Sequence, residues 1–408
     1  MPSHDAIVIG AGLIGSAVAL RLAQEGLRVA LLEKNAPGRE ASWAAAGMLS
    51  PAPDAPASIP LVPFGRASLS LYPQFISEIE EISGHSTGYR TDGAIELIFS
   101  AEAERELSTI IALHHALGLR SEPLPLDEAY KLEPALTRRA QAAAFLPYEA
   151  SVDARALTAA VLAAGLAAGV ELFAHTQVSR IMSERGRCTG VSIHDGTLFA
   201  APNVVVAAGA FSGLLEGVDS PLRARPIRGQ MVALKSQEAS LQHVVRSERG
   251  YIVPRDSEVP QRVVTGSTLE DAGFDKRVTP RGLEHILCTA QELVPALGNA
   301  EVVELWCGLR PDTPDHLPLL GPAGIEGLTI ATGHYRNGIL LAPITAKLVR
   351  EWIVEKRVSM DWELFNPLRF TGGAGENADD GDSVSGDASS DQRGDASPGK
   401  GGGEFAHK

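Results

Sequence analysis

Hydrophobic residues are distributed along the chain in three distinct ways. Two short unbroken apolar runs, Ala6–Ile9 and Val29–Leu32, bracket a stretch of helical periodicity that Gly26 is placed to end. That order predicts a strand–helix–strand unit at the head of the chain. Helical spacing returns over residues 101–117, 153–169 (with Asp153 as N-cap), 281–297 and 342–355. Between these lie strand-like segments at 88–100, 170–173, 177–182, 189–194, 225–234 and 250–266, with Asp92-Gly93 and Asp195-Gly196 as turn signals. Two further apolar runs end in glycine, at Gly209 and Gly333. Strand–helix units at both ends with β-rich segments between predict an α/β fold. In it, a Rossmann-like nucleotide domain is interrupted by an α+β domain built on an antiparallel sheet. The expected division gives residues 1–83, 150–222 and 305–370 to the first domain and 84–149 and 223–304 to the second.

The first apolar run ends in Gly10-x-Gly12-x-x-Gly15, and Val29–Leu32 closes on Glu33. This is the spacing of a dinucleotide fingerprint. Gly10 permits the tight turn, Gly12 lets a pyrophosphate approach the backbone, and Gly15 lets helix and sheet pack closely. The helix N-terminus then presents free N–H groups and a partial positive charge to the phosphates. Glu33 sits where a carboxylate can accept hydrogen bonds from ribose hydroxyls, and it would repel a 2′-phosphate. FAD or NAD is therefore favoured over NADP.

A length of 408 residues accommodates two domains, and 44% hydrophobic content describes a soluble globular chain. A net charge of −14 argues against nucleic acid or an anionic membrane as partner. Part of that charge is local: residues 371–408 carry eight acidic against three basic side chains. Rich in Gly, Ser and Asp, that segment cannot bury enough surface to order itself and is expected to be a disordered acidic tail. Cys188, Cys288 and Cys307 form no CxxC pair, which suits a reducing cytoplasm and supplies no metal framework. The N-terminus lacks a basic n-region, and the Ala-rich stretch after Arg155 is too short to span a bilayer.

The glycine-ended strands shift the balance from NAD towards FAD. A strand ending at Gly209 has the form expected where it passes a bound dinucleotide. The strand ending at Gly333 leads through His334-Tyr335-Arg336-Asn337-Gly338 into a helix, whose N-terminus could favour the negative charge of a reduced flavin. The segments GAGLIGSAVALRLAQEGLRVALLEK, EASWAAAGMLSP, GYIVPR, VVTGSTLEDAGFDK, WCGLRPDTPDHLPLLGP and ATGHYRNGILLAPITA complete a pattern. With them the chain resembles the D-amino-acid-oxidase-like FAD amine oxidases, and within these the glycine oxidases of thiamine biosynthesis, over residues 5–370. The resemblance implies FAD held across the nucleotide domain, a mixed sheet over the flavin, and often a homotetramer. It places Leu13 and Ile14 under the pyrophosphate and Glu33 and Lys34 at the adenosine ribose. Ala41, Ser42, Ala46, Gly47 and Met48 would pass the ribityl chain and flavin, and Val178 would meet adenine. His334, Tyr335, Arg336, Asn337, Gly338, Ile339 and Leu340 would wrap the isoalloxazine.

The implied reaction oxidises the Cα–N bond of glycine or another small amine (sarcosine, D-alanine) by hydride transfer to flavin N5. The imine hydrolyses to glyoxylate and ammonia, or serves thiazole synthesis, and O2 becomes hydrogen peroxide. The protein's task is orientation. A substrate carboxylate calls for a guanidinium, because arginine grips it through two parallel bonds and stays charged. Arg310 is the leading candidate, against a surface or ion-pair arginine. Arg336 is the second cation by resemblance, and Tyr251 could donate its hydroxyl, against a core tyrosine. No acid–base dyad is needed if the amine enters neutral. Glu80 and Glu81 are read as a solvated helix face, His114 and His115 as surface residues, and His334 as part of the flavin loop rather than a base. Cys307 departs from the alanine usual in this motif. It reads as a buried free thiol with non-covalent FAD, against the covalent tether of sarcosine oxidases. The open alternatives are a sarcosine oxidase, a D-amino-acid dehydrogenase, a non-catalytic flavin-binding module and an NAD dehydrogenase.

Overall fold

The four residues of Ala6–Ile9 are buried on both sides, which is why they read as an unbroken run instead of an alternation. Ala6 and Val8 pack towards a layer of helices, and Ile7 and Ile9 towards a small sheet on the opposite face. In the computed structural model, which describes residues 4–53, 55–218, 222–255 and 261–370, this strand lies inside a six-stranded sheet. Its order is Leu319–Pro322, Leu328–Thr332, Asn203–Val206, Ala6–Ile9, Val29–Leu32 and Glu171–Phe173. All neighbours are parallel except the first pair. Helices Leu13–Gln24, Ala154–Ala167, Val62–Ser83 and Gly338–Glu355 cover one face, and the three-stranded sheet Val178–Glu184, Arg187–Ile193 and Leu198–Ala200 covers the other. Asp153 caps its helix through bonds from the Arg155 and Ala156 N–H groups, as the sequence predicts.

The second sheet has eight strands in the order Glu301–Asp312, Arg225–Lys235, Arg262–Gly266, Gly250–Arg255, Val244–Ser247, Ala94–Ile98, Ala142–Leu146 and Glu122–Pro123. Its pairs are antiparallel except Val244–Ser247 with Ala94–Ile98. Val232, Ile252 and Val263 face helix Pro280–Leu293, whereas Met231, Tyr251 and Val264 face the nucleotide sheet's side of the molecule. The second set of side chains is what walls the site described below.

Several elements differ from expectation. Residues 88–100 hold one strand, not two, because Arg90 pairs in isolation with Ser151 and Gly93 turns the chain against Phe145. Helix Val62–Ser83 was hidden by Pro63 and Pro73, although proline in the first turn costs no hydrogen bond. The last helix starts at Gly338, four residues before the expected start. The division expected between residues 304 and 305 falls inside strand Glu301–Asp312, which pairs along its length with Arg225–Lys235. His114 is not a surface residue: it is buried, and burial lowers its pKa, whereas His115 is exposed. Glu81 is solvated as expected, but Glu80 accepts bonds from the Thr87 N–H (2.7 Å) and hydroxyl (2.8 Å). The acidic tail at 371–408 lies outside the described residues. Among the described residues, no helix is long and apolar enough to cross a membrane.

Candidate active site

The first strand has neighbours on both sides, Val29–Leu32 and Asn203–Val206, so a crevice opens at its carboxyl end. The turn there depends on two glycines. Gly10 has φ +101°, and a Cβ on Gly15 would overlap the Gly10 carbonyl oxygen. Helix Leu13–Gln24 therefore begins against the strand end, with no side chain of Gly12 to cap it and no acidic residue in its first turn. The Leu13 N–H is taken by the Ser42 hydroxyl (3.0 Å). Buried Glu33 accepts from the Ala11 N–H (2.9 Å) and the Asn35 N–H (3.0 Å). Each carboxylate oxygen retains a further lone pair.

From this crevice a cavity of about 600 Å³ extends to the second sheet, lined at one end by Glu33, Lys34 and Val178 and at the other by Met231, Tyr251 and Arg310. Its wall also includes Gly10, Gly12, Ile14, Ala41, Ser42, Ala46, Gly47, Met48, Gly209, His334, Tyr335, Arg336, Gly338 and Ile339. Four expected residues are not on that wall. Leu13 buries its side chain among the helices, and Gly15 serves the packing of strand against helix. Asn337 precedes the last helix and gives its N–H to His334, and Leu340 turns into the core while its carbonyl accepts the Ser68 hydroxyl (2.6 Å). Phe211, Met231 and Ser267 line the cavity without having been expected there. No periodicity in the sequence marks them, because each is placed by a turn or by sheet pairing.

Each wall has its own support. Segment 41–48 is held from behind: the Trp306 indole N–H donates to the Ala44 carbonyl (3.1 Å), and the buried Arg255 guanidinium donates to the Ala46 carbonyl. Arg155 stacks 3.6 Å over Trp43 and pairs with Glu304. Burial pushes Arg255 down to about 10, so it stays cationic at neutral pH. The last helix is anchored at its start by bonds from the Tyr72 hydroxyl to the Ile339 carbonyl and from Ser68 to Leu340. Its N-terminus thus faces the cavity at Gly338 and Ile339. His334 is buried against Thr345 (3.0 Å), and burial pushes it down to about 4, so the ring is neutral at physiological pH. Lys34 lies 2.9 Å over the Phe211 ring, and burial lowers its pKa.

At the far end, Arg310 reaches the cavity from strand Glu301–Asp312. Its Nη1 donates to the Thr268 carbonyl (3.1 Å) and its Nη2 to the Ser267 hydroxyl (2.6 Å). Burial lowers its pKa, Arg336 adds to that effect, and the Tyr251 hydroxyl opposes it. Tyr251 donates to the Met231 sulfur at 3.5 Å, a weak acceptor that a better one can replace. Cationic groups therefore converge on the end of the cavity opposite Glu33.

The sequence pattern of the family described as FAD dependent oxidoreductase (DAO) matches residues 5–352. The chain belongs to that family. This FAD-dependent oxidoreductase is 36% identical over 376 residues to a glycine oxidase of Geobacillus kaustophilus, covering 91% of this chain and 98% of that one. A bifunctional protein ThiO/ThiG of Trichormus variabilis is 34% identical, over 90% of this chain but only 55% of its own length. The crystal structure of glycine oxidase from Geobacillus kaustophilus superimposes with a TM-score of 0.84, at 34% identity, over 90% of this chain and 99% of that one.

The residues present fit FAD: a helix N-terminus that its own N-cap residue, Gly12, does not cap and the Glu33 carboxylate open onto one continuous cavity. Cys307 has no access to it. Gly308, Leu309 and Arg310 line the cavity and Cys307 does not, while its strand neighbours Trp306 and Gly308 meet segment 41–48. Its thiol donates instead to the Lys276 carbonyl (2.8 Å), and burial raises its pKa. Acid precipitation of the FAD-loaded oxidoreductase is therefore expected to leave a colourless pellet and a yellow supernatant. Flavin retained in the pellet would show a tether.

Proposed function

We propose that this oxidoreductase oxidises glycine, and other small amines such as sarcosine and D-alanine, to the imine, with hydrogen peroxide as second product. The observation that carries this reading is the Arg310 guanidinium at the cavity end, beside Tyr251 and Arg336. A cationic cluster at one end of a flavin cavity suits a small acid whose reactive carbon lies next to its carboxylate. Bound FAD would supply the two-electron acceptor, with O2 as the final oxidant. The chain's own work is to fix the substrate. Arg310 and Arg336 take the carboxylate, and Tyr251 exchanges the Met231 sulfur for a carboxylate oxygen. On the cofactor side, Glu33 would take the ribose hydroxyls and Gly12 and Ile14 would hold the pyrophosphate. The N-terminus of Gly338–Glu355 would favour negative charge on the flavin. The resemblance to proteins named glycine oxidase and ThiO/ThiG supports the further reading that the imine feeds thiazole synthesis for thiamine.

Neutral His334 offers no charged acid, and among the described residues no carboxylate lines the cavity beside Arg310 and Tyr251. The amine must then arrive already deprotonated. Turnover at fixed low glycine is expected to rise from neutral to alkaline pH as the substrate ammonium loses its proton, and a flat profile would contradict this. The proposal itself is tested by anaerobic titration of the FAD-loaded protein with glycine, sarcosine and D-alanine. Bleaching of the flavin band by glycine, followed under air by one peroxide per amine consumed, supports it. Bleaching without peroxide points to a dehydrogenase, and no bleaching by any amine points to a binding module.

A further inference from the structure

Arginine is a flexible side chain, and a cation that must be ordered at every encounter loses much of its binding advantage to entropy. Arg310 is ordered in advance. Its guanidinium lies against Gly229, where an added Cβ would overlap the Nη1, Cζ and Nη2 atoms. Its two terminal nitrogens are bonded sideways to the Thr268 carbonyl and the Ser267 hydroxyl. Gly229, Ser267 and Arg310 all line the cavity.

The loop that carries those acceptors is itself fastened from behind. Gly229 and Met231 face the cavity, so strand alternation puts Arg228 and Gln230 on the reverse face. There Arg228 and Glu270 exchange both backbone hydrogen bonds (2.9 and 3.0 Å) and pair through their side chains (2.5 Å). The Thr268 hydroxyl accepts from the Gln230 N–H (2.9 Å) and donates to Glu270 (2.6 Å), and the Gln230 amide donates to Glu270 (2.7 Å). Thr268 therefore holds its backbone rigidly enough for its carbonyl to fix a neighbouring cation.

We infer that Gly229, Ser267 and Thr268 form a socket that pre-orients Arg310, and that Ser267 is a positioning residue for the carboxylate of the substrate. The identity of that substrate as glycine rests on the function proposed above, but the socket concerns any small carboxylate. Removing the Ser267 hydroxyl takes away one of two acceptors without touching the cavity's volume by more than one atom. It should loosen the guanidinium and weaken ligand binding while leaving chemistry nearly as fast.

The test uses FAD-loaded wild type, Ser267→Ala, Ser267→Thr and Gly229→Ala. Acetate is titrated against the flavin absorbance band, and steady-state constants for glycine are measured alongside. Ser267→Ala is expected to raise the acetate Kd and the glycine KM together by roughly fivefold, with kcat changed less than about twofold. Ser267→Thr should restore both, and Gly229→Ala should raise both by more than about tenfold at unchanged FAD content. Unchanged constants in Ser267→Ala would overturn the socket. So would a loss shared by kcat and thermal stability that threonine does not rescue, or a wild type whose flavin band no small carboxylate perturbs. If wild type is not reduced by glycine yet Ser267→Ala weakens acetate, the glycine reading fails and the socket stands. If glycine reduces all variants with wild-type constants, the socket fails and the glycine reading stands.

Discussion

Alanine in place of Arg310 is expected to raise the Michaelis constant for glycine by about tenfold or more, with a smaller effect on turnover at saturation. Charge-assisted hydrogen bonds contribute about 1.5–3 kcal/mol each, and about 1.4 kcal/mol is a factor of ten. The loss is not made good by Arg336, which is exposed and lies on the loop before the last helix, not on the strand of Arg310. Lysine at 310 keeps the charge but cannot reach the Ser267 hydroxyl and the Thr268 carbonyl together with a substrate, because an ammonium lacks the planar fork. It should recover only part of the affinity. Steady-state kinetics on the three proteins decide the matter, and an unchanged constant in Arg310→Ala removes this residue from the substrate site.

A second large effect is expected at Gly15, far from the substrate. The Cβ of Gly15→Ala would overlap the Gly10 carbonyl oxygen and lie 3.3 Å from the Ala207 Cβ. The Gly10 turn cannot yield freely, because the Gly10 N–H is bonded to the Leu32 carbonyl at 2.8 Å. The helix start must move away from the strand end, carrying with it the N–H groups that face the cavity. Overpacking of this kind costs about 1–3 kcal/mol of stability. Its larger consequence is for the cofactor: the variant should purify with less than about a tenth of the wild-type flavin content, since a displaced helix N-terminus no longer serves the phosphates. Gly26→Ala is the control. Gly26 has φ +83° but no atom within 4 Å of a built Cβ, so it should lose about 1 kcal/mol and stay yellow. The absorbance ratio of flavin to protein reads both outcomes. A fully loaded Gly15→Ala would contradict the packing argument.

Legibility in the sequence followed the range of the interactions. The crevice around Gly10, Gly12 and Glu33 was readable because one strand–helix–strand unit contains all of its parts. The same holds for Asp153, whose cap is made within three residues. Arg310 could be named from its motif, but its supports could not. Ser267 and Gly229 are brought to it by pairing of Arg225–Lys235 with both Arg262–Gly266 and Glu301–Asp312, and no local pattern encodes that register. The burial of His114 is hidden for a similar reason. Helical spacing alone does not reveal that Arg246 and Glu96 lie nearby on other elements. Helix Val62–Ser83 is obscured because proline usually punctuates a helix, whereas Pro63 occupies a first-turn position. Cys307 is a further case: its thiol is held away from the cavity by the Lys276 carbonyl, which lies 31 residues back in the chain.

A crystal structure of the FAD-loaded protein with glycolate bound addresses the mechanism most directly. The carboxylate should lie on the Arg310 guanidinium, still seated on Ser267 and Thr268, with the Tyr251 hydroxyl turned from Met231 to a carboxylate oxygen. Glycolate bound elsewhere, with Arg310 pointing out of the cavity and Tyr251 still on the sulfur, would contradict the assignment of this end of the cavity to the substrate.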